Sequence, residues 1–335
     1  MLPMIDIKPT DSSCIYSTLC FVVDQAKQLS LPTPVVTFYQ PLWIKAVEIA
    51  KAAHLDIVCR LGGFHIMKIF LGAIGTVMAG SGIEELLGQI YGSNTVVHMM
   101  HGDAVSRAVR GHFMLQGALV VRLLKTTVFN ADSTMPQHSL LDNVRQLIDT
   151  VDANKVDVGD CSMLVSELVS TIEAQLNAIM DTLSVQSRTA KLWIRYFRYV
   201  AILKHFLLAE RTCNWQLHLK CVHDMLNLFA ATGRNSYCKS CRLYLQIMVD
   251  LPNTHPGLYD MFAVRGLHSV RRTDGRYWGG LSLDLIIEQC LMKCIKGQGG
   301  LTRGRGMSDS VRSLWVSTMP QCAAVHLPVI MATCR

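Results

Sequence analysis

Half of the 335 residues are hydrophobic and 17% are charged, which suits a chain with a large buried core and argues against a disordered segment. The formal net charge is +7, and twelve cysteines are scattered without an evident framework. The start lacks a basic stretch followed by an apolar run, so no secretory signal is expected, and reduced thiols in an intracellular protein, cytosolic or nuclear, follow.

In chain order, Asp11-Ser12-Ser13 predicts the N-cap of a helix over 14–30, ended by Pro32 and Pro34. Two short strands follow, one within 34–42 and one within 55–65, with an amphipathic helix over 42–54 between them. That is a β-α-β unit, whose strands lie parallel and whose crossover is right-handed. Ligands of such units collect outside the carboxyl ends of the strands. Tyr39 and the Gly62-Gly63-Phe64-His65 turn therefore share one rim, where an active site is expected. The uncharged run from Ile69 to Ile83 has 15 residues, short of the ~20 that a membrane span needs, so a buried helix and no membrane association are expected.

Beyond His65 nearly everything has helical periodicity. Helices are expected over 65–79, between Gly82 and Gly92, and over 103–129, then a polar loop around 130–137. Further helices are expected over 139–153, 161–185, 188–211, 214–232 and 235–249. Pro252 and Pro256 break the pattern, 264–273 suggests a short strand, and 284–296 and 308–319 suggest helices. The fold class is then a partial α/β front with a predominantly α-helical body. Its regions are a partial α/β core (1–65), a helical body (66–265) and a C-terminal helical region (266–335). Two strands alone do not make a stable sheet, so the remaining strands must come from elsewhere, as in an incomplete copy of a longer protein.

Charge is unevenly spread. Residues 130–187 carry nine acidic and two basic side chains, whereas 188–242 carry ten basic and two acidic. The basic part either pairs with the acidic one or presents a face to a polyanion such as DNA. Arg188, Lys191, Arg195 and Arg198 recur at helical spacing with Trp193, Tyr196, Phe197 and Tyr199 between them. They form either a nucleic-acid surface with stacking aromatics or a solvated stripe over a buried aromatic face. Lys296, Arg303 and Arg305 lie in a glycine loop that could meet phosphates or act as a linker; it lacks the Gly-Lys-Ser/Thr ending of a nucleotide-binding loop. Asp284 and Glu288, four apart, share a helix face and could hold a metal or line a solvent edge. His65 is either a site residue that donates to phosphate or a packed histidine that opens the next helix. Cys221, His223, Cys238 and Cys241, near Cys213 and His218, raise zinc, but their helical spacing opposes it, and no metal site is assigned.

Several stretches carry a family resemblance. They are Lys8 to Leu19, Thr37 to Ala46, Arg60 to Gly82, Met99 to His112, Ala190 to Glu210 and Ser282 to Ser310. These resemble a little-characterised family of transposable-element-encoded proteins repeated in invertebrate genomes. By looser analogy the family is similar to transposases with an RNase H-like core. The resemblance implies carboxylates at strand ends and one on a later helix, holding Mg²⁺ or Mn²⁺ for strand cleavage or transfer. Tyr39 and Glu288 are the positions it points to here, beside His65 and Asp284 as read from the residues themselves. The chain departs from the pattern with Tyr39 where the family has Asp, and with Asp103 where it has Lys. A phenol is a poor ligand for a hard cation. The expected function is thus a transposon-derived protein with a degraded, catalytically inactive nucleic-acid-processing core. The alternative is a non-enzymatic helical protein that binds nucleic acid or another protein.

Overall fold

A computed structural model describes residues 10–31, 33–129, 142–146, 149, 163–266, 268–271, 280–281 and 283–286. Its elements are α1 (Ser12–Gln28), β1 (Val35–Phe38), α2 (Gln40–Ala52), β2 (Val58–Leu61), α3 (Gly63–Met78), α4 (Ile83–Gly88), α5 (Ser93–Met100), α6 (Val105–Phe129), α7 (Met163–Gln186), α8 (Arg188–Thr212), α9 (Trp215–Ala231), α10 (Asn235–Val249), α11 (Leu251–Thr254), α12 (Pro256–Ala263), β3 (Val270–Arg271), β4 (Gly280–Leu281) and α13 (Leu283–Ile286). The described residues are mostly helical. The chain divides into two compact units, one made of residues 1–70 and 205–335, the other of residues 71–204.

The first unit holds the expected β-α-β motif. Asp11 caps α1, its carboxylate accepting from Ser13 N at 2.8 Å. Cys14, Ile15, Leu19, Val23 and Ala26 then recur at helical spacing and are buried. Pro41 lies in the first turn of α2, where its missing N–H costs nothing. The buried stripe of α2 is Gln40, Trp43, Ala46 and Ala50. Trp43 is fully enclosed, and its indole N–H donates to Cys59 O at 2.9 Å, which ties α2 to β2. Burying such a ring contributes roughly 2–3 kcal/mol. β1 and β2 pair in parallel with Val35 opposite Val58 and Phe38 opposite Leu61. All of β2 is buried, whereas all of β1 is half-buried. α9 and α10 complete the core of this unit with Trp215, Met225, Phe229, Tyr244 and Met248.

The regular elements among the described residues of the second unit are all helices. Gly75 in α3 lies against α5: a Cβ there would fall 2.0 Å from Met100 O, so only glycine allows the two backbones to meet. The helix expected between Gly82 and Gly92 is α4, and Gly82 adopts a φ of 91° before it. α5 is an addition to the expected pattern; the eight-residue stretch after Gly92 is too short for a clear period. Tyr196 of α8 is buried and its hydroxyl lies 2.8 Å from His112 Nδ1 of α6.

The short strand expected in 264–273 is β3, paired antiparallel with β4. The helix expected over 284–296 begins as α13; its remainder, the helix over 308–319 and most of that over 139–153 lie outside the described residues. None of the described helices is long and apolar enough to cross a membrane.

Candidate functional site at the strand-end rim

The parallel pairing places the carboxyl ends of β1 and β2 at one edge. Tyr39, the N-cap of α2, and His65, in the first turn of α3, meet there with ring centroids 5.8 Å apart. Tyr39 is 38% exposed and His65 half-buried, with Phe64 packed edge-on against the imidazole at 5.5 Å.

Asp284 comes to the same rim from α13. Its Oδ2 accepts the main-chain N–H of Phe64 at 2.7 Å, and its Oδ1 accepts that of Leu285 at 3.1 Å. A carboxylate thus caps α3, where the helix dipole and unsatisfied N–H groups favour negative charge. Gly62 makes this approach possible, since a Cβ there would lie 2.6 Å from Asp284 Oδ2. The solvent-edge placement considered for Asp284 is therefore corrected: the residue is buried, and its partner is the next helix. Glu288 lies outside the described residues.

Behind the rim sits a charge cluster that the sequence reading did not single out. Glu210 of α8 is buried against Gly63, its carboxylate 3.3–3.4 Å from where a Cβ would stand. Arg60, in the middle of β2, reaches Glu210 Oε1 with Nη2 at 3.6 Å and donates from Nη1 to the main-chain oxygen of His268. His218 Nδ1 lies 2.6 Å from the same Oε1, and its Nε2 lies 3.2 Å from the Tyr244 hydroxyl. Ser269 Oγ approaches Oε2 at 3.5 Å. Trp215 stacks on the His218 ring at 5.3 Å and carries the Arg60 guanidinium over its face.

Burial alone would raise the Glu210 carboxyl, but His218 and Arg60 outweigh it and hold the group down to about 2. Burial lowers His218, and Glu210 only partly offsets it. The cluster thus sets Arg60⁺ and His218 around Glu210⁻, with burial opposing a charge on the His218 ring and Glu210 favouring it. His218 Nδ1 faces Glu210, and Nε2 faces the Tyr244 hydroxyl. Burial also drives His268 down to about 3. Burial opposes charge on Arg60, but Tyr244 and Glu210 beside it raise the group nonetheless.

Both carboxylates at the rim are thus committed, Asp284 to helix N–H groups and Glu210 to Arg60 and His218. The cavity lined by Gly63, Phe64, Met67, Glu210 and Leu285 measures about 40 Å³, room for a water or two. Small-molecule sites usually span roughly 300–1,000 Å³. A wider groove of about 340 Å³, lined by Val47, Ala50, Leu55, Val58, Ile247 and His255, lies at the opposite end of β2.

The basic stripe of α8 forms as its spacing implies. Arg188, Lys191, Arg195 and Arg198 are all exposed. Arg198 pairs with Asp181 of α7 at 2.8 Å, so the acidic stretch engages the stripe at that position. Among the described residues, Arg188, Lys191 and Arg195 have no ion-pair partner. The interleaved aromatics differ in exposure. Tyr196 is buried, Trp193 packs edge-on against it at 5.5 Å, and Phe197 and Tyr199 are half-buried. Lys296, Arg303 and Arg305 lie outside the described residues. Cys221 and Cys241 are buried thiols raised to about 12 by burial, and Cys238 points at Leu226 O. Among the described residues no three His, Cys, Asp or Glu side chains gather as metal ligands would.

Signals for the missed residues were present. Arg60 interrupts the apolar run Ile57-Val58-Cys59-Arg60-Leu61, and a charge inside a buried strand calls for a buried partner. Which acid supplies it, 150 residues later, is set by tertiary packing alone. No curated protein and no solved structure matches the chain. A family model described as "Domain of unknown function (DUF8702)" matches residues 1–333, and the chain belongs to that family.

Proposed function

We propose that the protein is a transposon-derived, transposase-like protein that binds nucleic acid and no longer cuts it. The observation that carries the binding half is the exposed stripe Arg188, Lys191 and Arg195 on one face of α8. Cationic side chains one helical turn apart suit successive phosphates, and contact there is sequence-independent. Tyr196, buried beneath the stripe, is withdrawn from base stacking, which favours duplex or backbone contact.

The silent half is supported by the rim. Parallel strands with acids at their carboxyl ends are what an RNase H-like core would use. Here one such position is Tyr39, Asp284 caps α3, and Glu210 neutralises Arg60. Two-metal cleavage needs carboxylates free to bridge cations. Releasing Asp284 would uncap a helix, and releasing Glu210 would leave a buried guanidinium unpaired. At the rim, Mg²⁺ or Mn²⁺ would have to draw Asp284 and Glu210 away from the groups they hold.

Fluorescence anisotropy with a ~30-base-pair duplex at several salt concentrations tests the binding half. The expected result is salt-sensitive affinity whose log–log slope falls by about 2–3 in the triple variant Arg188→Gln/Lys191→Gln/Arg195→Gln. Binding that ignores both salt and these substitutions overturns it. Mg²⁺- or Mn²⁺-dependent nicking of supercoiled DNA that Glu288→Gln abolishes would overturn the silent half.

A further inference from the structure

We infer that two copies of the chain join through the open edge of β1, making one continuous sheet across a two-fold axis. The inference is independent of nucleic-acid binding. In a parallel pair, the main-chain groups of alternate residues face the partner strand. Pro34 O accepts from Val58 N and Phe38 O from Gly62 N, so the even-numbered residues of β1 face β2. Val35 and Thr37 must then face away. Among the described residues neither has a hydrogen-bond partner for its N–H or C=O on that side. β2 is buried at every residue, so its far side is covered, while β1 is half-buried throughout. Thr37 Oγ1 is itself out of reach of solvent. The face of the sheet is closed at that point, and among the described residues no strand pairs with the edge.

A second copy fits this edge for four reasons. The outward residues flank Val36 symmetrically. A two-fold axis at Val36 sets Val35 opposite the partner's Thr37 and Thr37 opposite the partner's Val35, each a pair that exchanges two N–H···O bonds. The strand Val-Val-Thr-Phe carries no charge, so the symmetry brings no like charges together. The same axis carries the Leu31 end of one copy toward the Tyr39 end of the other, and these apolar side chains are 54% and 38% exposed. Finally, a two-stranded sheet is below the ~3 strands usually needed, and pairing yields four. The arrangement closes on itself: β2 offers no further edge, so a dimer forms rather than a fibre.

Sedimentation velocity of the full chain from ~0.5 to ~50 μM tests this, read beside a thermal melt of each variant. A concentration-dependent dimer is expected. Hydrogen exchange at Val35 and Thr37 should slow as the dimer fills. Thr37→Pro deletes one outward donor and leaves the groups that face β2, so it should weaken the dimer at least ~10-fold. If that variant melts out, the surface pair decides. Leu31→Lys with Tyr39→Lys should weaken the dimer ~10-fold, whereas Leu31→Lys with Tyr39→Glu should restore it to within ~3-fold, a reversal that misfolding does not produce. A monomer at every concentration, or a dimer indifferent to both lysine and proline variants, overturns the inference.

Discussion

The first unit and the second each hold an arginine–carboxylate pair, and the two invert what distance alone suggests. Arg60 and Glu210 stand 3.6 Å apart with side chains 2% and 6% exposed; Arg198 and Asp181 stand 2.8 Å apart at 52% and 68%. The shorter pair is the weaker contributor. Water screens it, and holding two long side chains in place offsets much of the gain, leaving roughly 0–1 kcal/mol. The buried pair is different in kind. Two charges have already left water, so each depends on the other to avoid standing unpaired in a low dielectric. What separates the pairs is the solvent, and this gives the order in which substitutions should matter.

The largest effect is expected from Arg60→Met. It leaves Glu210 buried without its cation and His268 O without its donor, and should cost about 3–5 kcal/mol in urea unfolding. Arg60→Lys should recover only part of this, because an ammonium reaches one acceptor where the guanidinium reaches two. A cost below ~1 kcal/mol for Arg60→Met would remove the distinction between the two pairs.

Acid should expose the same contrast in two stages. His218, His268 and His112 all lie below the ordinary 6.5, the last two at about 3 and about 4, each because burial disfavours the charged ring. The unfolded chain therefore binds more protons below pH 6.5, and stability is full above that value and declines as pH falls. Glu210, held at about 2 against an ordinary 4.5, adds a second loss as pH drops from 4.5 toward 2. The stability contributed by that carboxyl is fully present above pH 4.5. Unfolding free energies at pH 7, 5.5, 4 and 3 follow both losses; in Glu210→Gln the lower one should vanish while the upper one persists.

Gly62→Ala comes next. The new Cβ would stand 2.6 Å from Asp284 Oδ2, so the carboxylate must leave the Phe64 N–H. Losing a helix cap costs about 0.5–2 kcal/mol. In an Asp284→Gly background the same substitution should cost clearly less, because the clash and the cap have both gone. Equal costs in the two backgrounds would mean that Gly62 is not there for Asp284.

The sequence disclosed local structure far better than long-range pairing. The parallel β-α-β unit, its rim of Tyr39 and His65, and the exposed side of Arg188, Lys191, Arg195 and Arg198 all follow from periodicity within one or two elements. Asp284 at the rim rests on its helix position, but its role as the cap of α3 depends on Gly62, some 220 residues earlier. The Arg60–Glu210–His218 cluster draws on β2, α8 and α9, and no spacing rule links those three. The aromatics of α8 show the converse. Tyr196 has the residue type of a stacking surface, and only packing shows that it faces inward.

The smallest effect belongs to the exposed pair and bears on binding more than on stability. Arg198→Ala or Asp181→Ala should change unfolding by less than about 0.5 kcal/mol, and any coupling in the double variant should fade in ~1 M salt. Asp181 holds one end of the basic stripe in an internal contact. Asp181→Ala therefore returns Arg198 to the set of cations open to phosphate and removes a nearby negative charge. Affinity for a duplex should rise about twofold to threefold, with a slightly steeper salt dependence. An unchanged or weakened affinity would mean that the Arg198 end of the stripe lies away from the polyanion, which would confine contact to Arg188, Lys191 and Arg195.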